Sequence, residues 1–192
     1  MENKHLVDLD LPENAKLVHK GIIFDVYQWE QELFDGSYTT FEAIRRNPTV
    51  QIFAITKEKK IILLNEEQPQ IGKFISVPGG HVEDNETPLE NAEKELLEET
   101  GMSSKNFKLW KKFNFMKKIV WDSYYFIAKD CIKISNPTPE AGEKIELFEV
   151  TFEEFIKYSQ KDTFRNKALK DLIFKMLKTE GEIEKFKKEL FE

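Results

Sequence analysis

Apolar and polar residues in this chain repeat with two different periods, and the change between them divides it into strand-like and helix-like stretches. Residues 17–33 are rich in Val, Ile, Phe, Tyr and Trp, a turn follows at Asp35 and Gly36, and residues 38–44 alternate again. That pattern predicts a β-hairpin or short meander. Residues 50–56 and 61–64 predict a second strand pair around the charged turn KEKK, and residues 74–77 a short strand leading into Pro78, Gly79 and Gly80. Strand composition returns over residues 107–115, 119–128 and 145–150, with a loop of prolines, glycine and acids over residues 135–144.

Helical periodicity appears after Thr87 and Thr151 and over residues 164–177, where apolar residues at 164, 168, 169, 172, 173, 176 and 177 predict a broad buried stripe. A last helix, residues 182–191, is short and heavily charged, and it is expected as an exposed or partner-bound tail. Strands on both sides of one helix, with further helices at the end, call for an α/β arrangement in which helices cover both faces of a mixed sheet. Residues 1–16 are polar and are expected as an irregular arm.

The helix after Thr87 has the best-defined ends. Thr87 followed by Pro88, with Glu90 three residues after Thr87, makes a capping box with proline at the first helical position, and Gly101 closes the helix. Leu89, Ala92 and Leu96 form its expected buried face. Glu95, Glu98 and Glu99 stand at i, i+3 and i+4, so their carboxylates share one side of the helix. Three carboxylates so close repel one another and raise their pKa values, and a hard divalent cation such as Mg²⁺, which prefers oxygen ligands, removes the conflict. The plainer reading of such acids is a solvated helix face; the glycine loop beside them points instead to metal-assisted phosphate chemistry.

The spacing decides between the two. Gly80, five residues, Glu86, seven residues, then Lys94, Glu95, Leu96, Leu97, Glu98, Glu99, Thr100, Gly101 and Met102 resembles the Nudix box of the Nudix hydrolases, G-x5-E-x7-R-E-U-x-E-E-x-G-U. Every defined position matches except Lys94, where the family has Arg; the charge is kept and the planar fork is lost. The resemblance implies an α/β/α sandwich with a mixed β-sheet over residues 48–178, a small N-terminal β subdomain within residues 1–47, and a helical tail over residues 179–192. It implies hydrolysis of a nucleoside diphosphate linked to another group, by water attack on a pyrophosphate phosphorus. Glu95 and Glu99 then resemble the principal metal ligands, Glu98 a further ligand or proton acceptor, the Gly79 carbonyl a backbone ligand, and Gly80 part of the substrate-binding loop. Glu86 reads as structural, closing the loop onto the helix. The implied cofactor is Mg²⁺, with Mn²⁺ as the alternative.

Within the family, the stretch from Phe41 to Ile55, FEAIRRNPTVQIFAI, and the N-terminal strands resemble the ADP-ribose pyrophosphatase and nucleotide-sugar branch. That branch implies a homodimer and a glutamate base in a late loop, for which Glu140 and Glu143 are the candidates and Glu143 is preferred. Met116 stands where the branch tends to have proline, which opposes the assignment. Arg45 and Arg46 are candidates for gripping diphosphate or ribose, and strand alternation lets only one of them face the site. Trp29, Phe113, Trp121 and Tyr124 are candidates for base stacking, with core packing the favoured alternative. A nucleoside triphosphate pyrophosphohydrolase, or a non-hydrolytic nucleotide-binding regulatory module, are the competing functions.

Composition narrows the partners further. With a formal net charge of -6 over 192 residues, the chain has no excess of basic residues for binding nucleic acid through a broad surface. Cys131 is the only cysteine, which excludes an internal disulfide and a cysteine-based zinc site and fits a reducing compartment. His5, His19 and His81 show no metal-ligand spacing, and His81 is expected as an exposed loop residue. No apolar run is long enough to cross a bilayer and the N-terminus lacks a signal-peptide segment, so a cytoplasmic protein acting on a nucleotide-derived small molecule is expected, with neither nucleic acid nor membrane as partner.

Overall fold

The computed structural model describes residues 11–116 and 118–192, with the side chains of Phe115 and Met116 excepted. His5 and most of the expected N-terminal arm lie outside the described residues, as does the side chain of Met116. The described chain runs β1 (Lys16–Lys20), β2 (Asp25–Glu32), β3 (Tyr38–Arg45), β4 (Thr49–Thr56), β5 (Ile61–Gln68), β6 (Gly72–Ser76), α1 (Pro88–Thr100), β7 (Met102–Ser103), β8 (Asn106–Met116), β9 (Ile119–Lys133), β10 (Lys144–Val150), α2 (Phe152–Ser159), α3 (Lys167–Lys178) and α4 (Glu182–Phe191). The strands form one mixed sheet ordered β1-β2-β3-β9-β4-β5-β10, with β6 on β5 and both β7 and β8 on β9. β9 runs parallel to β3 and β4, and the other pairs are antiparallel.

Side chains alternate across each strand, so the central strands supply two cores at once. Val50, Ile52 and Ala54 of β4, Ile62 and Leu64 of β5, and Phe126 and Ala128 of β9 face α1, where Ala92 and Leu96 complete one cluster. Phe53, Ile55, Ile61, Leu63, Tyr125 and Ile127 face the other way, onto α2, α3 and α4. The result is the expected α/β/α sandwich. Leu89 is not part of the buried face of α1, being 42% exposed; its place is taken by polar Asn91 and Thr100 and by Glu99.

Two other expectations change. The stripe predicted over residues 164–177 belongs to a shorter helix, because Asn166 caps α3 by accepting from the Leu169 N–H at 2.9 Å, and Phe164 packs from the preceding loop. Only Leu169, Ile173 and Met176 are buried along α3, a narrower stripe than the pattern suggested. The charged helix α4 is not an exposed tail: Phe186 and Leu190 lie fully inside the second core. Phe186 sits 4.9 Å from Trp110 and 5.5 Å from Phe53, ring centroid to centroid. Two apolar residues at i and i+4 are enough to seat a helix whose remaining surface is charged.

The first three strands make the expected meander, paired β1 to β2 to β3, and β3 joins the body through a short parallel ladder in which Ile44 and Arg45 meet Ile119 and Val120. Truncating Phe186 to Ala removes a buried ring from an aromatic cluster, and the expected cost is about 3 to 5 kcal/mol of stability in denaturant unfolding. A loss under about 1 kcal/mol, the range of surface substitutions, would return α4 to the status of a tail.

Candidate active site

The site is assembled from the face of the sheet that looks toward α1. On β5 the row Ile62, Leu64 continues in phase to Glu66 and Gln68, so burial gives way to polar groups without a change of face. Opposite it on β6, Phe74 and Ser76 pair with Glu66 and Leu64. On the other side β10 contributes Ile145 and Leu147, with Glu143 immediately before the strand.

Above this row lies α1, held as predicted. Thr87 and Glu90 exchange both capping bonds, at 2.8 and 3.2 Å, and Gly101 ends the helix in the left-handed conformation. The Glu86 carboxylate accepts from the Asn91 amide at 3.0 Å and from Lys94 Nζ at 3.2 Å, while the same amide donates to the His81 carbonyl at 2.9 Å. Glu86 therefore ties the motif loop to α1, the structural task expected of it. Lys94 meets this structural acid, and the fork that arginine would offer is replaced by one point contact.

The glycine pair lets the loop and the helix acids approach. A Cβ on Gly79 would lie 2.2 Å from the Val50 carbonyl oxygen, and one on Gly80 would lie 2.0 Å from Glu95 Oε1. The Gly79 N–H donates to Glu99 Oε2 at 2.8 Å, and the Gly80 carbonyl accepts from the Val50 N–H at 2.9 Å. Glu99 is only 5% exposed. Its burial, then the charges of Glu66 and Glu95, hold its carboxyl well above the usual range despite the Gly79 hydrogen bond. Burial, followed by the Glu98 charge, pushes Glu95 up to about 7. Glu98 stays half-buried, and its backbone carbonyl accepts from the Thr138 N–H at 2.7 Å, which pins the late acidic loop to the end of α1.

Sequence reasoning missed Glu66. It is 7% exposed, accepts a hydrogen bond from Ser76 Oγ, and is raised above the usual carboxylate range by burial. The signal was present as an acid in phase with Ile62 and Leu64, two residues past the expected strand end. Glu143 is brought to the same groove: it accepts from Gln68 Nε2 at 2.8 Å, and burial and then the neighbouring Glu140 charge raise it. Glu140 is exposed on the same loop and supports it only through its carbonyl, which accepts from the Glu143 N–H at 3.0 Å.

Of the paired arginines, Arg46 is the one that turns to the motif. Its guanidinium lies 4.8 Å from the Trp121 ring and 5.6 Å from Phe24, and Nη2 reaches His81 Nδ1 at 2.9 Å. Its buried Nε has no hydrogen-bond partner among the described residues. His81, although exposed as expected, is thus paired, and partial burial followed by the Arg46 charge lowers its pKa and favours the neutral, accepting ring. Arg45 is exposed, opposite Asp25 on β2. The proposed stacking aromatics are otherwise committed: Phe113 to Tyr125, Trp29 to Phe41, Tyr124 to Lys112, and Trp121 to Arg46 and to Thr49 Oγ1 at 3.2 Å. Arg165, the third arginine, has no motif in the sequence to mark it; its guanidinium lies 4.6 Å from the Phe74 ring and donates to Gln68 Oε1 at 3.1 Å.

Among the described residues no three His, Cys, Asp or Glu side chains stand grouped as a ready-made metal cage. The donor set nevertheless fits a hard cation. Glu99 is a buried and Glu95 a half-buried oxygen donor, the charge of each is resisted by its neighbours, and Gly80 leaves room for the Glu95 carboxylate.

A glycine loop folded onto a helix that carries buried glutamates, over a mixed sheet covered on both faces, defines a phosphate-chemistry enzyme fold of the Nudix type. The chain belongs to the Nudix hydrolase family: the NUDIX domain model matches residues 45–172. It is 28% identical over 146 residues to the ADP-ribose pyrophosphatase of Bacillus subtilis (strain 168), covering 73% of this chain and 77% of that protein. It is 29% identical over 147 residues to the methanol dehydrogenase activator of Bacillus methanolicus, covering 73% and 78%. The crystal structure of an ADP compounds hydrolase shares the fold with a TM-score of 0.68, covering 88% of this chain and 95% of that one at 21% identity. Members of the family generally use divalent metal ions. No described helix is long and apolar enough to cross a membrane.

Without metal, Glu95 should make stability depend on pH. Its folded pKa of about 7 exceeds the ordinary 4.5, so its contribution is full below about 4.5 and is lost as pH rises through 7. Melting curves in chelator should therefore show E95Q equal to the parent at pH 5 and more stable at pH 8, with added Mg²⁺ stabilising only the parent. Parallel pH profiles for the two proteins would contradict this electrostatic assignment.

Proposed function

We propose that this chain hydrolyses the pyrophosphate bond of a nucleoside diphosphate joined to another group, ADP-ribose or a nucleotide sugar, and that Mg²⁺, or Mn²⁺ in its place, is its cofactor. The observation that carries the reading is the pair of carboxylates, buried Glu99 and half-buried Glu95, set against Gly79 and Gly80, with the late-loop Glu143 linked to Gln68 beside Glu66. Glu95, Glu99, Glu98 and the Gly79 carbonyl would hold the metal, which when bound neutralises phosphate charge and polarises the scissile bond. Glu143 accepts a proton from the attacking water, with Glu140 as the alternative and Glu98 a further acceptor if it is free of metal. Arg46, its Nε without a partner, binds a phosphate oxygen, and Gly80 leaves room for the substrate's approach. Burial of Glu99 keeps bulk water from screening its charge, so its attraction to a bound cation would be stronger than on an open surface.

The substrate branch draws support from the Bacillus subtilis relative's name. The rival reading, a regulatory module that binds without hydrolysis, has support in the name of the Bacillus methanolicus relative, an activator. A panel of ADP-ribose, nucleotide sugars and nucleoside triphosphates with Mg²⁺ separates them. The expected products are a nucleoside monophosphate and a sugar phosphate, and E99Q should lower kcat at least about a hundredfold while the fold survives. A triphosphate cleaved with kcat/KM about tenfold above every diphosphate would establish the triphosphatase instead. Tight binding with no turnover on any compound would establish the module.

We also propose that two copies pair through the N-terminal meander. Residues 38–42 are exposed on both faces of β3, and Leu17, Val18, Phe34, Tyr38 and Phe41 present apolar surface there. A short strand sheet attached to the body at two residue pairs needs cover, and a two-fold copy supplies it. Sedimentation at micromolar concentration should give a dimer, converted to monomer by a Tyr38→Glu, Phe41→Glu double variant; a monomeric parent would remove the proposal. A cytoplasmic setting fits the single buried thiol of Cys131.

A further inference from the structure

Three side chains that no motif links form a continuous chain across one edge of the acidic groove. Arg165 Nη1 donates to Gln68 Oε1 at 3.1 Å, and Gln68 Nε2 donates to Glu143 Oε1 at 2.8 Å. Arg165 is itself anchored on the rim of the sheet. Its backbone N–H donates to the Ile75 carbonyl at 2.9 Å, beside the bridge that pairs Phe164 with Ile75, and its guanidinium stacks 4.6 Å from the Phe74 ring. Phe74 stands opposite Glu66 on the face that looks toward α1, so the stacked guanidinium is held on the same side of the sheet as the acids.

The direction of the chain follows from chemistry. Guanidinium can only donate, so the Gln68 oxygen must face Arg165, and the amide N–H group turns to the acids beyond it, with Glu143 Oε1 the near acceptor at 2.8 Å and Glu66 Oε2 the distant one at 3.5 Å. A glutamine whose two ends are engaged by different partners cannot flip without losing both bonds. Glu143 gains from such a hold because it stands at the end of a loop: its backbone N–H turns back to the Glu140 carbonyl, and the loop is clipped to α1 by the bond from the Thr138 N–H to the Glu98 carbonyl. Gln68, by contrast, is the last residue of β5, paired with Gly72 of β6, and so transmits the rigidity of the sheet.

We propose that Gln68 and Arg165 are positioning residues that hold Glu143 toward the acidic face of α1. The inference rests on the reading of Glu143 as the residue that takes the proton from water. It extends the working site beyond the motif to a strand end and to the loop between α2 and α3. Burial and then the Glu140 charge raise the pKa of Glu143, and the Gln68 hydrogen bond and then the Arg165 charge oppose that rise, in the direction of the ionised carboxylate that a base requires.

The test is steady-state hydrolysis of ADP-ribose with saturating Mg²⁺ by Q68L, Q68E, R165M and R165K, alone and combined with E143Q. Met at 165 keeps apolar cover on Phe74 and removes the donors. Displacement of a reacting group is expected to lower kcat about ten- to a hundredfold in Q68L, Q68E and R165M, with KM changed by less than about threefold. R165K should recover part of the loss, since an ammonium still donates to Gln68. In the E143Q background the same changes should alter kcat by less than about twofold, because the group they position is already gone. Loss of kcat in Q68L that is just as large in the E143Q background would overturn the inference while leaving Glu143 as the base. Parental kcat in Q68L would do the same, provided E143Q alone is impaired. Parental kcat in E143Q itself would overturn the reading of Glu143 and the positioning role together. Melting temperatures accompany each rate; should R165M not fold, the two Gln68 variants decide the matter.

Discussion

The burial of Glu99 against the Gly79 N–H is the constraint on which the rest of the site depends. A carboxyl at that depth, beside the charges of Glu66 and Glu95, resists ionisation, and the one Gly79 hydrogen bond does not offset that resistance. The family's use of a divalent ion answers it. The capping box on α1 and the Glu86, Asn91 and Lys94 cluster hold the helix and the glycine loop together, which keeps the acids where they repel.

The sheet provides the floor of the groove through its period of two. On β5 the residues that face α1 pass from Ile62 and Leu64 to Glu66 and Gln68, so the same row that makes the core becomes the site once the covering helix turns polar. Rigid strands thus hold groups that a loop would leave mobile. The late loop, in turn, is fastened at its start to Gly101 and Glu98 and at its end to Gln68, a span short enough to keep Glu143 near α1.

Beside the motif loop, a second cluster is built from cation and aromatic contacts. Arg46 is held between Trp121 and Phe24 and paired with His81, and these residues come from four separate segments. Phe24 belongs to the N-terminal meander, so the piece of chain that makes the exposed apolar surface also touches a residue of the site.

Much of this was legible in residue order, because local physics carries it. The ends of α1 follow from Thr87, Pro88, Glu90 and Gly101, the shared side of Glu95, Glu98 and Glu99 from helical spacing, and the closing role of Glu86 from its place before the cap. The meander, the strand pairs and both cap threonines likewise depend on near neighbours. What only the tertiary structure decided involves partners distant in sequence. Glu66 became a site acid because β5 extends past Leu64 beside β6; Arg46 rather than Arg45 faces the motif because of how β3 meets β9; and α4 is buried because Trp110 and Phe53 leave a space for Phe186. The link from Arg165 through Gln68 to Glu143 joins positions 165, 68 and 143, and no periodicity connects them. Spacing specifies which residues share a face of one element, whereas the neighbours across that face are set by sheet order and register, which hydrophobic pattern alone leaves open.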